Sequence, residues 1–255
     1  MPELVELDEQ AHRDLRIREG SAIQIAANQH VINIRASELP QAVTDFPVFF
    51  TRDPNSGDFS ASIVTSFDAG QNLYVANGEW NAIFMPSSMQ TYPLFLMKSP
   101  TDERGYTVGI DEANSAFSTT EGQPLFEEAG KATLFLSDMT RRLQAGAEAD
   151  VQTLYFIEAL QKLELLKPVD VLVHYADDAV QTIRGLLTID EERLKSLPSE
   201  RVQELYTQGY LVLIHAVLIS IYQLNGLIRR QGLNAELKPV KSVKLQVARD
   251  VSASE

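Results

Sequence analysis

Short apolar runs separated by clusters of turn-forming residues dominate the first half of the chain. Their length and their β-branched and aromatic content are typical of strands. The predicted strands are residues 21–25, 31–34, 46–50, 60–67, 73–75, 92–97, 106–110 and 132–136. Residues 51–58 and the dipeptide Asn77-Gly78 carry turn signals between them, and residues 36–45 predict a short helix. We expect a mostly antiparallel β sheet or a partly open barrel in this half.

The second half changes to helical periodicity. The predicted helices are residues 138–145, 152–166, 191–197, 199–206 and a long apolar helix from 210 to about 230. Residues 169–175 and 181–189 predict a hairpin that turns at Asp177-Asp178. Val243, Leu245 and Val247 alternate with polar positions, which predicts an edge strand or a strand offered to a partner.

These patterns together predict an α+β fold in one domain, residues 1–255. Its β-rich part covers about residues 20–136 and its hairpin and helical part about residues 150–230, followed by a tail at residues 233–255. The long apolar helix is expected to be buried in the core, because a helix that is apolar nearly all round is typical of such a position. The alternative is a membrane or amphipathic anchor. Its unbroken apolar stretch is short for a membrane span, so we expect no transmembrane segment.

Composition narrows the partners and the chemistry. The 255 residues carry a formal net charge of −13, which would repel phosphate backbones, so nucleic acid is not expected as a partner. The chain has no cysteine, which excludes disulfides, thiolate nucleophiles and cysteine-ligated metal centres. The first residues lack the basic and apolar regions of a cleaved signal peptide. We therefore expect a soluble, cytoplasmic protein.

The sequence carries no recognisable catalytic motif. Phosphate-binding glycine loops and the G-x-S-x-G elbow are absent, so no nucleotide cofactor is predicted. The four histidines are far apart and form no metal-binding pair, so no metal is predicted either. His215 lies within the long apolar helix. It is expected to be a hydrogen-bonded core histidine, or alternatively a functional group that lines a pocket between helix and sheet.

An aromatic patch is the best candidate for a binding surface. Tyr74, Trp80, Phe84 and Tyr92 lie within a short segment of strand and turn sequence, and Trp80 is the single tryptophan of the chain. Such residues are enriched at ligand clefts and protein interfaces. The alternative is ordinary packing in the core of the sheet. With His215, these four residues form the predicted ligand or partner site.

Several short motifs agree with one known family in order and spacing. Those in the first half are Phe46-Pro47-Val48-Phe49-Phe50, Gln71-Asn72-Leu73-Tyr74, Gly78-x-Trp80, Pro86, Tyr92-Pro93-Leu94 and Gly122-x-Pro124-Leu125-Phe126. Those in the second half are Leu165-Leu166-x-Pro168, Thr188-Ile189-Asp190-Glu191-x-x-Leu194-x-x-Leu197, Gly209-x-Leu211 and Leu213-Ile214-x-Ala216-x-Leu218-x-Ser220. Over about residues 10–230 the chain resembles the bacterial SapC family.

The resemblance implies a family more than an activity. SapC takes its name from a surface-layer-associated protein and has no established catalytic role. The genes of its members often look like accessory genes that lie near genes for outer-membrane uptake receptors and flavin halogenase-like proteins. The resemblance therefore implies that this protein could associate with the cell surface. The chain departs from the family pattern at three places: it has Gln90-Thr91 where relatives tend to carry arginine before Tyr-Pro, His215 where tyrosine is expected, and Val217 where histidine or glutamine is expected.

Three functional hypotheses follow. The leading one is a non-enzymatic binding or accessory protein in a bacterial surface or nutrient-uptake system, with a protein partner or a small ligand. The second is an enzyme that acts on a peptide, an amino acid or a glycan, using Tyr92, His215 or scattered carboxylates. The third is a surface-layer structural protein, which would have to be exported and to self-assemble.

Overall fold

The structure is a computed structural model that describes residues 4–100 and 105–248. It has the predicted α+β fold, with antiparallel sheets, and none of the sheets in the described residues closes into a barrel. The predicted tail is described as far as residue 248, and its remainder lies outside the described residues. Within this part of the chain, strands from both halves of the sequence are joined in one large sheet.

Most of the strands are short, and the longest of them belong to the large sheet. In chain order they are β1 Val5–Glu6, β2 Arg16–Ile17, β3 Val31–Ile34, β4 Val48–Arg52, β5 Phe59–Val64, β6 Val75–Ala76, β7 Glu79–Trp80, β8 Phe95–Lys98, β9 Tyr106–Ile110, β10 Phe117–Ser118, β11 Gln123–Pro124, β12 Leu166–Tyr175, β13 Val180–Ile189 and β14 Val240–Val247. The helices are α1 Ser21–Ala26, α2 Leu39–Ala42, α3 Ser87–Thr91, α4 Leu134–Lys162, α5 Glu191–Lys195, α6 Ser199–Thr207, α7 Tyr210–Ser220 and α8 Leu224–Leu233, with 3-10 turns at Ala36–Glu38 and Ile221–Gln223.

The large sheet has six strands in the order β14-β12-β13-β4-β5-β3. The predicted hairpins β4–β5 and β12–β13 are both present, and they meet where Leu187 of β13 pairs with Phe50 of β4. Strand β14 pairs with β12 and forms one edge of the sheet, which confirms the edge-strand prediction. The smaller sheets are β1-β9-β8, β10-β2-β11 and the hairpin β6-β7, which turns at Asn77-Gly78 as predicted.

The main hydrophobic core lies between this sheet and the helices packed on it. Phe156 of α4 contacts Phe50 of β4 and Tyr210 of α7, with ring centroids 6.3 and 5.2 Å apart. A second, smaller cluster surrounds Leu125 and includes Ile110 and Leu136. The start of α4 therefore packs on the second cluster and its end on the main core.

Two predicted strands are helical instead. Residues 21–25 form α1, which begins after Gly20 in a left-handed conformation with φ of 74°. Ser21 and Ala26 are its buried residues and Ile25 is exposed, so the apolar alternation of this segment does not mark a sheet face. Residues 132–136 lead into α4, because the Thr133 hydroxyl accepts a hydrogen bond from the Leu136 amide and caps that helix.

Helix α4 is continuous over 29 residues where the sequence predicted two shorter helices. The predicted break contains Gly146, a residue that weakens helices in isolation. In the structure Gly146 is buried against Arg35, and a Cβ added there would lie 2.6 Å from an Arg35 guanidinium nitrogen. The glycine therefore serves close packing inside the helix and does not end it.

The apolar C-terminal helix is divided into α7, a 3-10 turn and α8. Ile214, Val217 and Leu224 point into the core, whereas Val212, Ile219 and Tyr222 are 62%, 62% and 76% exposed. The prediction that this helix is buried in the core therefore holds for one of its faces, and the other face is exposed. By length and composition residues Tyr210–Leu233 are apolar enough to cross a membrane, and 28% of the most apolar window is buried. The absence of a membrane span stays a prediction.

Candidate functional site

Three of the five predicted site residues meet around Phe46, a residue that precedes β4. The ring of Tyr74 lies 4.2 Å from that of Phe46, and the rings of Trp80 and Phe84 lie at 5.9 and 6.3 Å. Tyr74 and Phe46 are fully buried, Phe84 is buried and Trp80 is half-buried. We call these four residues the aromatic cluster. Its main contribution is to the hydrophobic core, as the alternative interpretation of the patch proposed.

Hydrogen bonds to Asp45 hold the aromatic cluster in place. The Tyr74 hydroxyl donates to the Asp45 carbonyl oxygen over 2.6 Å. The Asp45 carboxylate accepts from the backbone amides of Ile83 and Phe84, each at 3.0 Å. The Trp80 indole N–H donates to the Phe84 carbonyl oxygen over 2.8 Å. Asp45 was not among the predicted site residues, because no pattern in its own segment relates it to residues 74–84.

The environment of Tyr74 strongly favours the neutral phenol. Burial raises the pKa of Tyr74 to about 12, although the positive charge of Arg230 opposes this shift. The Arg230 guanidinium lies over the Tyr74 ring at 3.9 Å from the centroid, a close cation–π contact. The aromatic cluster therefore positions a charged side chain from the end of α8.

Arg230 lines a pocket of about 610 Å³ beside the aromatic cluster. The pocket lies between the segment 71–76, which leads into β6, and the end of α8 with the turn that follows it. Its other lining residues include Gln71, Asn81 and Glu236. Sequence analysis missed this pocket, since its two walls come from opposite halves of the chain. The nearest signal in the sequence is the pair Arg229-Arg230, whose positive charges are explained equally well by their place near the C-terminus of a helix.

Tyr92 lies apart from the aromatic cluster. It is half-buried, and its hydroxyl donates to the Asn114 side-chain oxygen over 3.0 Å. It lines a separate pocket of about 550 Å³ together with Gln90 and Met139. The structure therefore does not bring Tyr92 to the other predicted site residues.

His215 is exposed on the outer face of α7, so the prediction of a core histidine is wrong. The helix is apolar at nearly every position, and periodicity therefore could not show which face would be buried. His215 lies on one helical face with Val212, Ile219 and Tyr222, spaced by three or four residues. We call these four residues the apolar stripe. The His215 Nδ1 lies 2.6 Å from the Leu211 carbonyl oxygen and must donate to it, because a carbonyl oxygen only accepts.

A further polar site joins β3 to α4. The Arg35 guanidinium is held by the Asp150 carboxylate, with Nε 2.6 Å from Oδ1, and it also donates to the Ser87 hydroxyl. Glu38 accepts from the backbone amides of Arg35 and Ser87, each at 2.8 Å. The adjoining pocket measures about 330 Å³. Every charged group of this arrangement has a partner, which indicates a structural tie between the elements.

The described residues, 4–100 and 105–248, contain no group of three or more histidine, aspartate or glutamate side chains that could hold a metal ion. His12 is buried, and its ring lies 2.9 Å from both the Asp8 amide and the Glu112 carboxylate. Since the Asp8 amide donates to Nδ1, Nε2 carries the proton and donates to Glu112. Both ring nitrogens are thus engaged in local structure.

A family model describes most of this chain. The model of SapC matches residues 7–227 of the 255 residues. The chain belongs to the SapC family. No curated protein and no solved structure matches it.

The three departures from the expected SapC pattern lie in different environments. His215 is exposed in the apolar stripe, whereas Val217 is fully buried on the opposite face of α7. Gln90 accepts a hydrogen bond from Arg142 over 2.6 Å, and Thr91 is buried beside it. His215 therefore adds a polar ring to the exposed face of α7, whereas Val217 contributes to the core.

Proposed function

We propose that this SapC protein is a non-enzymatic binding or accessory protein in a bacterial surface or nutrient-uptake system. The observation that carries the proposal is the apolar stripe. Val212, Ile219 and Tyr222 are each more than 60% exposed and lie on one face of a single helical segment. Exposed apolar residues are ordinary when scattered, but several large ones on one face of a helix are typical of an interaction surface.

The composition of the apolar stripe suits a protein partner. Burying a large apolar side chain stabilises a complex by roughly 1.5–3 kcal/mol, so three such residues supply the energetic centre of an interface. The stripe carries no formal charge when His215 is neutral, while the chain as a whole carries −13. Depletion of charge at the centre of a surface is a feature of protein interfaces.

His215 adds a directional contact to the stripe. Its Nδ1 proton is used by the Leu211 carbonyl oxygen, which leaves Nε2 of the neutral ring as an acceptor at the surface. A partner that offers a hydroxyl or amide donor at this position would satisfy it. The histidine would thereby fix the orientation of a complex whose affinity comes from the apolar residues.

Affinity capture from native cells tests this proposal. Tagged wild-type protein and the double variant Val212→Gln/Ile219→Gln are recovered separately from the soluble and the membrane fractions, and bound proteins are identified by mass spectrometry. The expected result is one receptor or surface protein that is enriched with wild type and lost with the double variant. We also propose that the protein itself is cytoplasmic, and its recovery mainly in the membrane fraction would contradict that location.

A matched control separates the stripe from general surface polarity. Val180, at the start of β13, is 54% exposed, and Val180→Gln should recover the same partner as wild type. Recovery of the same proteins with wild type and with the double variant would contradict the role of the stripe. Turnover of a peptide, amino acid or glycan by the purified protein, abolished by a substitution in a pocket, would favour the enzymatic alternative.

A further inference from the structure

We propose that the pocket beside Arg230 binds a free α-amino acid, with the ligand carboxylate on Arg230 and the ligand ammonium group on Glu236. This inference goes beyond the proposed function, because it concerns a small-molecule site that is separate from the apolar stripe. The pocket volume of about 610 Å³ lies within the range of small-molecule sites and exceeds what a single water or ion needs.

Arg230 is held in a fixed orientation and retains free donors. Its guanidinium stacks on the buried Tyr74 ring at 3.9 Å, and Nη2 donates to the Asn81 carbonyl oxygen over 2.9 Å. Within the part of the chain that the structure describes, no carboxylate lies within ion-pair distance of Arg230. A guanidinium has five N–H donors in a planar fork, and a fork of this kind can bind a carboxylate at two points.

Glu236 supplies the opposite charge in the same pocket. Its backbone amide donates to the Asn234 side chain, which fixes the turn after α8, and its carboxylate forms no ion pair with a described residue. Arg230 and Glu236 thus line one pocket without neutralising each other. A ligand with neighbouring carboxylate and ammonium groups would complement both charges and leave the net charge of the complex unchanged.

The remaining walls define the side chain of the ligand. Leu73, Val75 and Leu233 line the pocket, and Leu233 is 80% exposed. Gln71 and Asn81 add side-chain amides at the same pocket. Apolar walls beside two separate, opposite charges favour an amino acid with an aliphatic side chain, because burial of that side chain adds hydrophobic stabilisation to the polar contacts.

Binding is tested with the intact protein and the proteinogenic L-amino acids, screened by saturation-transfer NMR and measured by isothermal titration calorimetry. Aliphatic amino acids, L-leucine among them, are expected to bind best. L-Leucinamide lacks the carboxylate and N-acetyl-L-leucine lacks the ammonium group, and each should bind roughly 10- to 100-fold more weakly than L-leucine. No binding by any amino acid in the screen would overturn the proposal.

Variants assign the two charges to the two ligand groups. Arg230→Lys keeps the charge but loses the planar fork, and it should weaken L-leucine binding roughly 10-fold or more. Glu236→Gln should weaken L-leucine binding and leave N-acetyl-L-leucine binding unchanged. An equal loss for both ligands in Glu236→Gln would contradict the proposed orientation.

Two further variants keep the test valid if Arg230→Lys disturbs the fold. Ala235→Trp fills the pocket at an exposed position and leaves both charges in place, so it should abolish binding without lowering the melting temperature. Arg229→Gln removes the exposed neighbouring arginine, which does not line the pocket, and binding should be unchanged. Undiminished binding in Ala235→Trp would place the ligand elsewhere and overturn the inference.

Discussion

Replacement of Tyr74 by phenylalanine removes one hydroxyl from the aromatic cluster and leaves its ring in place. That hydroxyl is the donor to the Asp45 carbonyl oxygen at 2.6 Å, in a fully buried position. Loss of the donor leaves the partly buried carbonyl group of Asp45 unpaired, and such a loss typically costs about 1–3 kcal/mol. Tyr74→Phe is therefore expected to lower the free energy of unfolding by about 1–3 kcal/mol at pH 8.

The same substitution should reverse its effect at alkaline pH. Burial raises the pKa of Tyr74 to about 12, against an ordinary value of 10.0. The folded protein thus retains this proton more strongly than the unfolded chain. The contribution of Tyr74 to the free energy of unfolding is therefore fully present below pH 10 and falls as the pH rises toward about 12. A shift of about two units corresponds to about 3 kcal/mol. The variant has no phenol at this position and escapes that loss.

Chemical denaturation between pH 8 and pH 12, followed by Trp80 fluorescence, measures both effects. Trp80 is the single tryptophan and lies in the aromatic cluster, so its emission reports directly on the site. The stability difference between wild type and Tyr74→Phe should shrink to zero or change sign by pH 12. Burial also raises the pKa of Tyr175 to about 12, but Tyr175 is present in both proteins, so its contribution cancels in the stability difference. A constant difference across this range would refute the reasoning, and Tyr222→Phe, at a 76% exposed position, should show no difference at any pH.

Three further substitutions test local packing at different places in the fold, each by denaturant unfolding. Gly122→Ala places a Cβ 2.1 Å from the Ile17 carbonyl oxygen at a φ of 99°, so it should destabilise by more than about 3 kcal/mol, whereas Gly232→Ala, with open space around it, should be neutral or slightly stabilising. Thr133→Ala removes the cap of α4 and should lower the free energy of unfolding by about 1 kcal/mol, whereas Thr133→Ser keeps a capping hydroxyl and should retain most of the stability. Phe46→Ala empties the centre of the aromatic cluster and should cost about 3–5 kcal/mol, and a loss below 1 kcal/mol would show that the ring is not at the centre.

Local chemistry made parts of the fold predictable. The hairpin at Asn77-Gly78 has positive φ angles at both residues, which this dipeptide adopts readily, and it forms where the sequence placed it. The Asp190 side chain accepts from the amides of Glu192 and Arg193, as expected of a residue that starts a helix. In these cases the determining interactions lie within a few residues of one another. The order of the six-stranded sheet depends on pairings between distant segments, and no local pattern encodes it.

The candidate site shows the same limit at the level of single residues. The density of aromatic side chains around Tyr74 and Trp80 was visible in the sequence, but Phe46, which gathers them, belongs to another predicted strand. Whether these residues lie in the core or at the surface depends on contacts from distant parts of the chain, such as those of Asp45 and Arg230 with Tyr74.

His215 failed as a prediction for a different physical reason. Helical periodicity identifies a buried face only when polar residues mark the opposite face. From Tyr210 to Ser220 almost every residue is apolar, so the helix could be turned through any angle without changing the pattern. The buried face is set instead by what it packs against, as when the Ser220 hydroxyl accepts from the Val48 amide over 2.9 Å. Because that contact turns Ser220 and Val217 inward, it also turns His215 outward and thereby places it in the apolar stripe.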